Sequence, residues 1–295
     1  MKILLQFPEG LKQKALELAK DYEKEGHEVF LSASACYGAC DLCLDEARWL
    51  EADRIVHFGH NKFINKDLPI PVEYVPYHFS IKIENLEKVL PEIRDFKSIS
   101  LATTVQHVHQ FEEMREFFEK NGKTVLAKEG ARTRGQVLGC DAATIDNSAD
   151  AIVFIGSGRF HPLAIDSEKP VFVYNPYEDS VKRLDDEIEK MRKRKKGAIA
   201  KALTCKKFGI LLSTKPGQFN MAQARWAKDE LRKRDLEAAI LVANELEPMS
   251  IKNFMVFDCL VNTACPRMAD DQEEFGKPVL NIGMLKELFK LIKVE

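Results

Sequence analysis

The chain repeats itself in thirds, and that repeat restricts it to a fold built from linked α/β units. Each third opens with a short apolar strand, expected at 3–7, 99–103 and 208–212, which leads through a polar turn into an amphipathic helix at 11–25, 111–121 and 221–234. A second strand is expected at 28–31, 124–127 and 238–242, and a third at 54–58, 151–155 and 254–257. A Pro-Val strand closes each third, at 71–74, 170–173 and 278–281. Continuous apolar strands alternating with helices are the pattern of parallel βαβ units, whose strands are covered on both faces. The sequence therefore predicts an α/β fold of three repeated three-layer units with short parallel sheets, spanning 1–95, 96–198 and 199–295. The stretch 184–200, dense in Lys190, Arg192, Lys193, Arg194, Lys195 and Lys196, reads as a solvated helix joining the second and third units, with docking of a partner as the alternative.

Composition limits the company such a chain keeps. Charged residues make up 31% and hydrophobic ones 45%, enough apolar material for a core. The formal net charge of -2 gives no general attraction to nucleic acid or anionic membrane, so neither is expected as a partner. No apolar run approaches the ~20 residues that span a bilayer, and the first eight residues read as a strand, not a signal peptide. A cytoplasmic location follows as the expectation. In a reducing compartment seven cysteines point to metal binding or redox work more than to disulfides.

Three of those cysteines, Cys40, Cys140 and Cys265, fall one in each third, each where a strand is expected to run out. Pro71 follows Cys40 by 31 residues and Pro170 follows Cys140 by 30, so the first two occupy equivalent positions. Each also precedes an aspartate, Asp41 or Asp141, of the kind that caps a following helix. Cys265 departs from the pattern, lying 13 residues before Pro278 and after the third strand of its unit. Three thiolates suit a [4Fe–4S] cluster at the centre of the three units, with one iron left open. The bland reading is that they are buried cysteines acting as small hydrophobes.

A local rival exists. Cys36, Cys40 and Cys43 form a C-x3-C-x2-C run, the cluster spacing of conventional radical S-adenosylmethionine enzymes. In those enzymes the motif follows the first strand of a partial barrel, whereas here it follows a second strand. Cys36 and Cys43 are therefore read as structural, and Cys205 and Cys259 as core.

Open parallel sheets bind ligands at the carboxyl ends of their strands. Gly59-His60-Asn61, the stretch from Thr103 through Gln106, His107 and His109, the stretch Gly156-Ser157-Gly158-Arg159-Phe160-His161-Pro162, and Ser213-Thr214-Lys215-Pro216-Gly217-Gln218 all fall at such ends. His57 lies in the strand before the first of them.

These segments, with Tyr37-Gly38-Ala39-Cys40-Asp41, Gly135-Gln136-Val137-Leu138-Gly139-Cys140 and Asn262-Thr263-Ala264-Cys265-Pro266-Arg267, resemble the archaeal first-step enzyme family of diphthamide biosynthesis along essentially the whole chain. The resemblance implies that Cys40, Cys140 and Cys265 hold a [4Fe–4S] cluster. It implies an unconventional radical enzyme that cleaves S-adenosylmethionine at the methionine γ-carbon. Methylthioadenosine is left, and a 3-amino-3-carboxypropyl radical is transferred to C2 of a histidine imidazole on translation elongation factor 2. It further implies a homodimer and an electron donor the sequence does not name. Candidate contacts to S-adenosylmethionine are backbone N–H groups of Gly156, Ser157 and Gly158, a carboxylate anchor among Arg159, Lys215 and Arg267, and polar contacts from Gln106, His107 and Gln218. For each of these a helix cap or a satisfied strand-end group is an equal alternative. Two other functions fit the units and the cysteine triad: a quinolinate-synthase-like enzyme using the open iron as a Lewis acid on small metabolites, and a non-catalytic electron-relay or scaffold subunit.

Overall fold

The computed structural model describes residues 1–130 and 133–292. It contains three mostly parallel sheets, one per sequence third. The first has β1 (Lys2–Gln6), β2 (Glu28–Leu31), β3 (Arg54–Phe58) and β4 (Val72–Val75) in the order β2-β1-β3-β4. The second has β5 (Ser98–Thr103), β6 (Thr124–Leu126), β7 (Ala151–Ile155), β8 (Val171–Asn175) and β9 (Ser180–Arg183) in the order β6-β5-β7-β8-β9. The third has β10 (Lys207–Ser213), β11 (Glu237–Ala243), β12 (Cys259–Asn262) and β13 (Val279–Asn281) in the order β11-β10-β12-β13. Every pairing is parallel except β8 with β9. The mixed α/β class with short parallel sheets is therefore as the sequence implies.

One clamp recurs in all three sheets and explains their common register. The aspartate just before the third strand accepts hydrogen bonds from the backbone that starts the first. Asp53 Oδ2 lies 2.7 Å from Lys2 N, Asp150 Oδ2 lies 2.8 Å from Ser98 N, and Asp258 Oδ2 lies 3.0 Å from Lys207 N. These are strand-start donors that no ladder partner satisfies, so the carboxylate replaces water there. At the neighbouring strand, the carbonyls of Pro71, Pro170 and Pro278 accept from Ile55, Ile152 and Leu260, which places the three prolines equivalently at 3.0, 2.8 and 2.9 Å.

The clamp also corrects one expectation. The third strand of the last third is not 254–257 but Cys259–Asn262, directly after Asp258. Phe254, Met255 and Val256 are apolar in sequence yet stand 47%, 85% and 55% exposed. The expected helix at 11–25 begins as a 3-10 turn, Glu9–Lys14, and becomes α-helical over Ala15–Lys24. The aspartates after Cys40 and Cys140 cap no helix. The carboxylate of Asp41 accepts from Tyr37 N–H at 3.3 Å, that of Asp141 from Ala143 N–H at 2.8 Å, and each closes a turn. Strand β9 was not anticipated.

The chain divides into two compact units. Met1–Asp185 carries the first two sheets and Asp186–Glu295 the third. In the second sheet Leu101, Val153, Phe118 and Tyr174 pack in one buried cluster, and in the third Phe208, Ile210, Val261 and Leu285 do so. Each such side chain contributes about 1.5–3 kcal/mol by leaving water. The charged helix Asp185–Ala202 buries Ile188, Ala198, Ile199 and Ala202 and leaves most of its basic residues exposed or half-buried.

Candidate metal centre at the strand ends

At the carboxyl edge of the first sheet Gln6, the last residue of β1, organises the loop that carries Cys40. Its amide nitrogen donates to the Asp41 carbonyl at 2.9 Å, and its oxygen accepts from His57 Nδ1–H at 2.9 Å and from Cys43 N–H at 3.4 Å. Gln6 is 1% exposed, so these bonds satisfy a carboxamide that burial would otherwise penalise. The backbone N–H of Asp41 closes a turn onto the Gly38 carbonyl at 2.9 Å, with Cys40 inside the turn. Cys40 is half-buried, while Cys36 and Cys43 are buried. Burial pushes both of those thiols up to about 12. His57 and His60 sit on the same edge with Nε2 and Nδ1 2.9 Å apart, and burial lowers them to about 3 and about 4.

The second sheet presents Cys140 from a loop laid against the end of β5. Thr103 N donates to the Gly135 carbonyl at 2.8 Å and Val137 N to the Thr103 carbonyl at 2.9 Å. Leu138 and Asp141 then exchange backbone hydrogen bonds at 2.8 and 3.1 Å, which leaves Gly139 and Cys140 at the tip. Cys140 is exposed. The ring of Phe160 lies on Gly139 so closely that a Cβ there would stand 1.9 Å from it. Asn61 donates to Gln136 Oε1 at 3.0 Å, joining the corner after β3 of the first sheet to the loop of Cys140. Both ends of this bond lie within the first compact unit.

The remaining expected contacts in this unit divide. Gln106 and His107 follow β5, and Gly156, Ser157 and Gly158 follow its neighbour β7, so the two groups share an edge. His107 is 1% exposed and donates Nδ1–H to the Phe79 carbonyl at 2.7 Å, while the Gln106 carbonyl accepts from Phe79 N–H at 2.7 Å. Burial lowers the His107 pKa, so its ring serves the crossing segment as a neutral anchor. Gly156 does not offer its N–H to a ligand, because that group donates to the Tyr174 carbonyl at 3.0 Å. Ser157, Gly158 and Arg159 are exposed.

In the second compact unit the turn after β10 is closed by Gln218 N donating to the Lys215 carbonyl at 2.9 Å. Lys215 is 4% exposed, and its ammonium lies 2.6 Å from the Glu245 carboxylate. The loop of Cys265 hangs on Asn262, whose Nδ2 donates to the Cys265 carbonyl at 2.7 Å and to Asn281 Oδ1 at 2.8 Å. Asn262 Oδ1 accepts from Ala264 N–H at 3.0 Å. Cys265 is half-buried, and Arg267 two residues on is 2.9 Å from Asp270. Lys215 and Arg267 therefore already face carboxylates, the chemistry expected of an amino-acid ligand's head. Gln6 carried no assignment from sequence, its one signal being a polar side chain at the end of an apolar strand; Asn61, Gln136 and Asn262 lay within the segments singled out above but carried no role of their own.

Each sheet thus supplies one cysteine that is exposed or half-buried on a strand-end loop, and a set of three thiolates is the donor chemistry of an iron–sulfur cluster with one open iron. Cys36, Cys43 and Cys259 are buried.

Comparison with known proteins extends this. Residues 7–293 match the family described as "Putative diphthamide synthesis protein". The chain is 36% identical over 287 residues to the 2-(3-amino-3-carboxypropyl)histidine synthase of Pyrococcus horikoshii, covering 95% of this chain and 83% of that one. It is 32% identical over 299 residues to the enzyme of the same description from Methanocaldococcus jannaschii, covering 94% and 81%. Its fold is similar to the crystal structure of Dph2 from Pyrococcus horikoshii, with a TM-score of 0.90 at 35% identity, over 99% of this chain and 87% of that chain. A second crystal structure of that Dph2, with a 4Fe-4S cluster, is similar at a TM-score of 0.89 and 35% identity, over 100% and 87%.

Proposed function

The chain belongs to the diphthamide synthesis family, and from that premise we propose the reaction it performs and the residues that serve it. It is a 3-amino-3-carboxypropyltransferase that uses S-adenosylmethionine and a [4Fe–4S] cluster to modify a histidine imidazole at C2, the first step of diphthamide synthesis. Translation elongation factor 2 is the protein substrate. The reading is carried by whole-chain likeness to a named synthase together with one accessible cysteine on a strand-end loop of each sheet. The quinolinate-synthase-like and electron-relay readings gain no support from these relatives.

We assign Cys40, Cys140 and Cys265 as the cluster ligands. When bound, the reduced cluster supplies one electron to the sulfonium, which breaks the bond to the methionine γ-carbon. The work left to the protein is positional. The Gln6 and Asn262 carboxamides hold the Cys40 and Cys265 loops in place, and the Leu138–Asp141 turn presents Cys140. Exposed backbone at Ser157 and Gly158 approaches S-adenosylmethionine, with Gly156 keeping that loop on the sheet. Lys215 or Arg267 anchors the ligand carboxylate by exchanging Glu245 or Asp270 for it, with Arg159 as an exposed alternative. Gln106 and Gln218 supply polar contacts, and His107 supports the loop it shares with Gln106 or touches the ligand directly.

The chain acts as a homodimer in the cytoplasm, reduced by a separate donor, without nucleic acid or membrane. No helix among the described residues is long and apolar enough to cross a membrane. The functional repeats are 1–95, 96–198 and 199–295, with the last three residues of the third outside the described region. The test is anaerobic incubation of cluster-loaded protein with S-adenosylmethionine, dithionite and elongation factor 2. Methylthioadenosine and one added 3-amino-3-carboxypropyl group on the factor are expected; a fully loaded protein that yields neither overturns the reading.

A further inference from the structure

At its carboxyl edge the first sheet gathers three side chains of metal-ligating type. Donor atoms of Cys36, His57 and His60 all lie within 4.8 Å of one another. Cys36 is 3% exposed, His57 is fully buried and His60 is half-buried. The tautomer of His57 follows from its neighbours. Gln6 Nε2 donates to the Asp41 carbonyl, which leaves Gln6 Oε1 to accept at His57 Nδ1. The ring proton therefore sits on Nδ1, and Nε2 directs its lone pair toward His60 Nδ1. A ligating histidine is prepared in this way, its far nitrogen donating to an oxygen that fixes the ring.

We propose that Cys36, His57 and His60 form a zinc site distinct from the three cluster cysteines. One thiolate and two imidazoles suit Zn(II) and disfavour magnesium and calcium, which take oxygen ligands. With Zn–N of about 2.0 Å and Zn–S of about 2.3 Å, neighbouring donors of a tetrahedral site stand roughly 3.3–3.6 Å apart. The two histidine nitrogens, 2.9 Å apart, open by about half an ångström to admit the ion. Binding uses one lone pair from each neutral imidazole, the His60 proton that bridges to His57 shifting from Nδ1 to Nε2, and the Cys36 sulfur, whose proton leaves to water. The fourth position takes water. Cys36 precedes Cys40 by four residues in the same loop, while His57 and His60 belong to the end of β3 and the turn beyond it. The ion pins that loop to β3, so the site positions Cys40 without touching substrate.

This inference does not rest on the transferase reading. Cluster-loaded protein prepared with zinc sulfate is passed through a weak chelator and gel filtration, and zinc and iron are counted separately. One zinc per chain is expected beyond the cluster iron. The zinc-edge X-ray absorption of the wild type shows one sulfur at about 2.3 Å and two nitrogens at about 2.0 Å. Cys36→Ser and His60→Gln each lose the zinc and keep the iron, but release that iron to a chelator several-fold faster. Wild type without zinc, zinc retained in both variants, or a shell of other composition overturns the site. Loss of iron together with zinc in Cys36→Ser also overturns it, because Cys36 is then a cluster ligand. Iron release at the wild-type rate removes the positioning role.

Discussion

Gly135→Ala tests how tightly the loop that presents Cys140 is built. Gly135 has φ +78°, and a Cβ there would lie 2.1, 2.3 and 2.8 Å from three ring atoms of Phe111. The ring is 4% exposed at the start of the helix Phe111–Lys120 and cannot swing into solvent. The left-handed backbone costs a non-glycine residue about 1–2 kcal/mol, and overpacking a tight core site adds about 1–3 kcal/mol. Gly122 supplies the control, with the same φ of +78° and nothing within 4 Å of its Cβ position. Gly122→Ala should therefore show the conformational part alone, about 1–2 kcal/mol. A unit of this size loses roughly 2–4 °C of thermal midpoint per kcal/mol. The expected drop in the apoprotein is then about 4–20 °C for Gly135→Ala and about 2–8 °C for Gly122→Ala. The reconstituted Gly135→Ala protein should also hold less iron, since the Thr103–Gly135 hydrogen bond seats the loop of Cys140. Equal midpoints for the two variants, with equal iron, would refute the packing argument.

Other outcomes follow from the same structure. Cys40→Ala, Cys140→Ala and Cys265→Ala should each lose most bound iron and the brown absorbance, whereas Cys43→Ala, at a buried thiol, keeps them. Asn262→Ala removes bonds to the Cys265 carbonyl, Asn281 and Ala264 from a site 3% exposed. It should destabilise the second unit by about 1–3 kcal/mol and lower iron content, as read by urea unfolding and iron assay. Asp150 is held below the usual carboxylate range, chiefly by the Ser98 backbone N–H and then the Ser98 hydroxyl. Its folded pKa is depressed, so its contribution is complete above the unfolded value of about 4 and fades as pH falls through the lower folded one. Asp150→Asn should give a flatter dependence of the urea midpoint on acidification; an unchanged slope contradicts the clamp's ionic character.

The parallel sheets were legible because their central strands are buried on both faces and so read as unbroken apolar runs, as in Ala151–Ile155, all of it buried. The same rule misled at 254–257, where apolar residues cover the surface and the strand begins only after Asp258. Strand β9 was hidden because Ser180-Val181-Lys182-Arg183 is a polar edge strand with no fully buried residue and a single apolar side chain, Val181, packed on the core. The positions of Cys40 and Cys140 at strand ends could be read from the repeat, whereas Cys265 departs from that register and follows a strand, Cys259–Asn262, that begins later than expected. What orients them could not, since Gln6 meets Asp41 and Asn61 meets Gln136 across 35 and 75 residues of chain. His57 and His60 were visible as strand-end histidines, but their approach to Cys36 depends on the path of the loop between β2 and the next helix.

An anaerobic crystal structure of the reconstituted holoprotein measures the ligand set directly. Iron should lie about 2.3 Å from the sulfurs of Cys40, Cys140 and Cys265, the length of an ordinary metal–thiolate bond, with one iron lacking a protein ligand. Iron bound instead by Cys36, Cys40 and Cys43 would restore the local motif and contradict a cluster held by one cysteine from each sheet.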